Sequence, residues 1–437
     1  MVNLNRTVIS KTELLSEKQL SKNRLYYIAE AGLEYLISLL ITGAFLAYLL
    51  TSNGVPDSVA GIITELAAFA FSAQLVSVFF RKRKGMKLFI TVLHLINQVM
   101  FVLLYVVPVI KIPSSLKVVI IVVMFLGGQI IANVVSPYKI SWFMSFVDDK
   151  KRGSFTANKE IVSLAAGTVF SMVMGAVSDH YKALGKDEVY FQICALTIFV
   201  LAVLHMMSII LVEDVEISSS DEAEHIKFTA ALKKTFSNKA LLVLILMDII
   251  WQFGSKLSYA YYGVYENNVL GFSMKYIAFL GLLSAVSRIA FSRYFGKLAD
   301  KYSWKKMLAI CFAIATVSFA VNIFTVPSNG KYMFAIYSCI NAVSMAGINS
   351  GLMNIIFDYV SVEDRASALG IRTALGGVSA FLSTFLGAYI VHSVQAQNNV
   401  VFGVTIYPQQ ILSAISTLIC CCVVLYVIFI VGKLKNE

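Results

Sequence analysis

Gly296-Lys297-Leu298-Ala299-Asp300-Lys301-Tyr302-Ser303-Trp304-Lys305-Lys306 is a short polar segment set between apolar runs near 274–294 and 306–326. Each run reaches the length of about 20 mostly apolar residues that a helix needs to cross a bilayer. A link this short makes the two runs antiparallel neighbours, and its lysines mark the side on which they are joined. The rest of the chain repeats the pattern. Of 437 residues, 58% are hydrophobic and only 14% charged, against about 25% charged in soluble proteins. That is too little charge to cover a soluble surface of this size. The 30 Phe and 21 Tyr exclude disorder, and collagenous, coiled-coil and disulfide-framework classes fail on composition. A polytopic membrane protein remains.

Twelve such runs are visible, near 26–50, 58–80, 87–110, 116–144, 158–181, 189–212, 240–265, 274–294, 306–326, 332–357, 366–392 and 406–431. An even count puts both termini on one side. The segments on that side hold 26 of the 36 Lys and Arg residues, and the opposite segments hold six. The positive-inside rule therefore places both termini in the cytoplasm. The net charge of +11 is explained by these loops, and no basic stripe interleaved with aromatics suggests a nucleic-acid partner. The six cysteines all lie in apolar runs without a C-x-x-C pair, so neither a metal site nor a disulfide framework is expected. The first 25 residues are polar and basic, unlike a cleavable signal peptide.

The longest polar stretch, Glu213 to Lys239, splits the chain into six runs and six. It opens acidic and serine-rich, then turns basic with Ile226, Phe228, Leu232 and Phe236 interleaved, which predicts a short amphipathic helix. The halves echo each other. Phe146-Val147-Asp148-Asp149-Lys150-Lys151-Arg152-Gly153-Ser154 precedes span five, and Tyr359-Val360-Ser361-Val362-Glu363-Asp364-Arg365-Ala366-Ser367 precedes span eleven. The aromatic, Val, Arg and Ser positions coincide. The reading is an all-α membrane protein of twelve helices in two pseudo-symmetric bundles. It divides into an N-terminal segment (1–25), a first bundle (26–212), a linker (213–239), a second bundle (240–431) and a tail (432–437).

The segment 296–306 resembles the loop signature of the major facilitator superfamily, G-x-L-A-D-[RK]-x-G-[RK]-[RK], with Ser303 and Trp304 as departures. The resemblance implies that this loop gates one access state, with Gly296 ending a helix, Asp300 as the latch, and Lys301 and Lys305 as headgroup anchors. The equivalent first-half loop is degenerate, with Val76 and Phe80 at the Gly and Asp positions before Arg81-Lys82-Arg83-Lys84. Subfamily marks are missing. Span four reads Phe125-Leu126-Gly127-Gly128-Gln129-Ile130 without the antiporter Arg, and spans six and twelve lack sugar-porter endings. The resemblance further implies alternating access around a central site lined by spans one, four, seven and ten.

An ionisable residue within a span costs about 2.5–3.5 kcal/mol on insertion scales. Glu34, Glu65 and Asp248 are the deepest, and Glu30 lies one turn from Glu34. A carboxyl there can take up and release a proton as water access alternates, so Glu34, Glu65 and Asp248 are candidates for proton coupling. The alternative is a fixed ion pair with Arg288, Arg372 or Lys256. Candidate substrate-binding residues are Glu34, Gln129, Asn133, Trp251, Gln252, Tyr259, Asn341 and Asn349. Tyr262 and Tyr265 read as an interfacial belt, and His94 as a hydrogen-bonded packing residue. Without a nucleotide-binding loop, a proton or Na⁺ gradient is expected to supply the energy, protons being preferred because the deepest groups are carboxylates. No cofactor and no catalytic residue are expected.

The expected partners are a small-molecule substrate, a proton and the lipid bilayer, for a monomeric chain in the plasma membrane. A neutral polar solute such as a sugar or glycoside is the favoured substrate. Efflux of an amphipathic drug, or a receptor without flux, are the other readings.

Overall fold

The computed structural model describes residues 14–75, 85–148, 152–214, 228–360, 365–401 and 403–434. Span one starts earlier than its apolar run. Ser16 caps the helix Glu17–Leu40 in a reciprocal capping box with Gln19, so the boundary expected at residue 25 moves to 16. Its polar first turns are held by the end of span six. Asn23 exchanges two hydrogen bonds with the Glu213 backbone (2.7 and 3.0 Å), and Gln19 donates to the Glu213 carboxylate at 2.6 Å. The helix then breaks at Ile41 and Thr42 and resumes as Gly43–Ser52. Gly43 has a φ of +56°, which only glycine adopts without steric cost.

Twelve stretches among the described residues are long and apolar enough to cross a membrane. After span one they are Asp57–Leu75, Met86–Val109, Ser114–Met144, Asn158–Ala183, Asp187–Ile210, Lys239–Val269, Met274–Lys301, Trp304–Asn322, Gly330–Asp358, Ala368–Ala396 and Pro408–Lys433. The helices carrying spans five and eleven are described over Arg152–Ala183 and Arg365–Ala396. Those are the two arginines the repeat aligns. Packing repeats as well. Span three lies on spans four and six as span nine lies on ten and twelve, and span one lies on five and six as seven lies on eleven and twelve. Each half has its own apolar core. The halves meet where span two packs on span eleven and span five on span eight.

Two of these expectations change and one stands. Gly296 does not end its helix, which runs on to Lys301 and is followed by Ser303 capping span nine. The linker holds the expected helix, described over Phe228–Ser237; residues 215–227, with most of its acidic part, lie outside the described residues, as do Val76, Phe80 and Arg81 to Lys84. Tyr265 is no belt residue, being buried with its hydroxyl donating to the Thr325 carbonyl at 2.8 Å.

Candidate functional site

A cavity of about 870 Å³ lies between the halves. Glu34 and Tyr35 of span one, Gln129 and Asn133 of span four, Arg288 of span eight and Asn349 of span ten are on its wall. Span seven, expected on this wall, contributes nothing to it. Its residues line two smaller chambers, one of about 400 Å³ with Tyr262, Glu266 and Asn341, the other of about 240 Å³ with Glu65, Lys256 and Tyr259. Tyr35, Leu164, Arg288 and Met345 line both the large cavity and the 400 Å³ chamber.

The large cavity occupies the end of the bundle that carries both described chain ends, and the other end is sealed. There Asp179 of span five accepts the backbone N–H groups of Met274 (2.6 Å) and Lys275 (2.9 Å) at the start of span eight. These are two of the donors that a helix start leaves without an internal partner. Asp57 accepts from Asn268 (2.7 Å) and Gln395 (2.8 Å), and Asn267 donates to the Ala44 carbonyl at 3.0 Å. Gly263 packs so closely on Ala44 and Ala47 that a Cβ there would come within 3.1 Å of the Ala44 Cα.

The first half buries a charge cluster that only partly shows in the sequence. Lys139 of span four is bonded to both Glu30 (2.7 Å) and Glu34 of span one. Glu30 also meets His205 Nε2 of span six at 3.1 Å, and the His205 ring stands edge-on to His94 of span three at 5.0 Å. Glu30, His94 and His205 are fully enclosed, whereas the Glu34 side chain is 36% exposed toward the cavity. His94 has neither ring nitrogen hydrogen-bonded, contrary to the packing role expected of it. Ligand atoms of Glu34, His94 and His205 all lie within 4.8 Å of one another, a spacing that suits a divalent metal. The Lys139 ammonium already sits on Glu34, however. Lys139 and His205 were missed because their roles depend on which helices touch, although a lysine inside an apolar run was itself a signal.

The other two candidate coupling carboxylates, Asp248 and Glu65, are paired. Asp248 lies 3.6 Å from Arg372 and accepts from Gln252 at 3.3 Å, within the second half. Glu65 meets Lys256 at 3.2 Å, joining span two to span seven across the halves. Arg288 has no ion pair among the described residues. Tyr259 donates to Asn341 at 2.6 Å. Trp251 stands instead in the core of the second half, 2% exposed and packed on Phe312. The Lys256 side chain is 30% exposed but that of Glu65 only 11%, so Glu65→Gln is expected to cost about 1–3 kcal/mol of stability by weakening the charge-assisted bond. An unshifted thermal melt would contradict that.

In the loop 296–306, Lys305 donates to the Leu434 carbonyl at 2.5 Å, and Lys301 lies 5.1 Å over the Tyr302 ring. Asp300 has no partner among the described residues.

Two six-helix halves related by internal symmetry, closed at one end around a central cavity, define a transporter architecture. The sequence matches the model of the Major Facilitator Superfamily over residues 31–383 and 289–432, and the chain belongs to that family. Among solved structures it resembles the nucleoside transporter NupG at 12% identity, covering 95% of this chain and 100% of that one with a TM-score of 0.70. An auto-inhibited POT family peptide transporter matches at 12% identity over 96% and 98%, TM-score 0.68. A D-xylose–proton symporter matches at 14% over 92% and 96%, TM-score 0.64. At these identities the likeness is one of fold. No curated protein matches the sequence.

Proposed function

We propose that the chain moves a small polar solute across the plasma membrane by alternating access, with a proton as the coupling ion. The observation that carries this reading is the Glu30–Lys139–Glu34 cluster. Glu34 opens onto the cavity while Glu30 and the two histidines behind it are enclosed. Two carboxylates facing one ammonium are one cation short of neutrality, and a proton supplies it. Protonation of Glu34 from the cavity would leave Lys139 held by Glu30 alone, loosening span one from span four. A polar solute suits the wall, where Gln98, Gln129 and Asn349 offer hydrogen bonds beside the mutually bonded Gln74 and Asn133; an amphipathic drug would leave the first three unmatched. The basic loops support cytoplasmic termini, so the cavity in this state faces the cytoplasm.

The test is uptake into proteoliposomes with and without an imposed pH gradient. Glu30→Gln is expected to abolish gradient-driven accumulation while leaving solute exchange at equal concentrations measurable. Accumulation equal to that of the unmodified protein would overturn proton coupling through this cluster.

A further inference from the structure

Beyond the wall formed by Tyr35 and Arg288, the 400 Å³ chamber is lined by a guanidinium and a carboxyl group that are not paired with each other. Arg288, midway along span eight, has no ion-pair or hydrogen-bond partner among the described residues. Its guanidinium lies within electrostatic reach of the Tyr35 hydroxyl. Glu266, in the last, π-helical turn of span seven, is likewise without a side-chain partner there, and its carboxylate lies within electrostatic reach of Tyr337. Three rings stand between spans seven and ten on the same chamber. Tyr262 is 5.5 Å from Phe334 and 5.1 Å from Tyr337, and Phe334 is 5.2 Å from Tyr337. Tyr262 therefore faces this chamber rather than the membrane interface.

A charge left unpaired inside a membrane protein is expensive and by default marks a functional site. The remaining charges of the cavity wall are otherwise placed. Glu34 is held by Lys139, Lys159 lies 4.7 Å over the Tyr27 ring, and Glu160 stands at the mouth. Arg288 presents a planar fork suited to a carboxylate. Glu266 beside three aromatic faces offers an ammonium both a counter-charge and cation–π contact. Asn341 spends its carbonyl oxygen on Tyr259, which keeps its amide hydrogens for the ligand. The chamber's volume lies in the range of small-molecule sites.

We infer that the chamber binds a small zwitterion, its carboxylate on Arg288 and its ammonium at Glu266 against the Tyr262, Phe334 and Tyr337 rings. This names the substrate class of the transporter proposed above and rests on that reading. It replaces the neutral sugar favoured on the sequence alone.

The test uses the full chain in lipid nanodiscs and four probes measured by calorimetric titration. They are phenylalanine, phenethylamine without the carboxylate, 3-phenylpropionate without the ammonium, and an uncharged methyl glucoside. Phenylalanine should bind at least about tenfold more tightly than either single-charge analogue, the weight of one charge-assisted hydrogen bond. Arg288→Gln should erase the preference over phenethylamine, and Glu266→Gln the preference over 3-phenylpropionate. Retained binding of the matching analogue shows that each variant is folded. Equal binding of phenylalanine and its analogues, tighter binding of the glucoside, or no binding of any probe would overturn the proposal. Flux assays separate the two readings. Phenylalanine bound but never carried would sink transport and keep the ligand class. Glucoside flux unaffected by either substitution would keep transport and sink the ligand class.

Discussion

Lys139→Met is expected to cost about 3–5 kcal/mol of stability, the range for breaking a buried ion pair by removing one partner. Lys139 is 4% exposed and Glu30 not at all, so bulk water does not reach the carboxylate left behind. Glu30 already has one oxygen without a hydrogen bond, and His205 would be its last partner. The same substitution together with Glu30→Gln and Glu34→Gln removes all three charges at once. That triple variant should recover most of the lost stability, because replacing an entire buried ion-pair group is often close to neutral. It should remain unable to accumulate solute against a gradient. Thermal unfolding in detergent reads the first effect and proteoliposome uptake the second. A Lys139→Met protein that melts with the unmodified one would show that the ammonium is not the counter-ion of Glu30.

Gly175→Val is expected to push the protein out of the state sealed at its outer end. A Cβ at Gly175 of span five would stand 2.8 Å from the carbonyl carbon and oxygen of Met274 at the start of span eight. Backbone at a capped helix start cannot rotate away as a side chain would, so relief comes from separating the spans. Overpacking of this kind costs about 1–3 kcal/mol, a shift of about 5- to 150-fold between two conformations. The Asp179 bonds to Met274 and Lys275 lie one turn further out and would be lost with the contact. The shift can be read with a cysteine at Thr42, beside the seal, in a chain from which the exposed Cys421 and Cys422 have been removed. Its alkylation by an impermeant maleimide added outside should speed up by a similar factor. An unchanged rate would show that spans five and eight do not form the seal.

Span number, the two halves and their symmetry were legible because apolar runs and basic loops are local properties, written one after another along the chain. What depends on helix rotation was less legible. Asp248, Gln252 and Lys256 recur every four residues as a stripe along span seven, yet eight residues turn a helix by about 80° beyond two full turns. The two ends of the stripe therefore meet different neighbours, Arg372 within the half and Glu65 across it. Trp251, expected among the substrate-binding residues, lies on the side facing Phe312. Gly296 sits six residues short of the turn its motif suggested, because Phe295 to Lys301 remain helical. Lys139 and His205 needed the contacts of spans four and six with span one, which no spacing in the sequence encodes. The Ser16 and Gln19 capping box was readable, and would have placed the first helix start correctly.

The break in span one makes a single chain segment into two arms joined at a pivot. The inner arm carries Glu30 and Glu34, and the outer arm carries Ala44 and Ala47, clamped by Asn267 and Gly263. Between them, Ile41 and Thr42 lie outside both helices, and Gly43 sets the bend. Dihedral changes at these few residues can swing the inner arm while the outer arm stays docked. The inner mouth can thus narrow on a bound solute with every outer contact intact. A state closed at both ends is then reached through one hinge, and the two gates need never be open together.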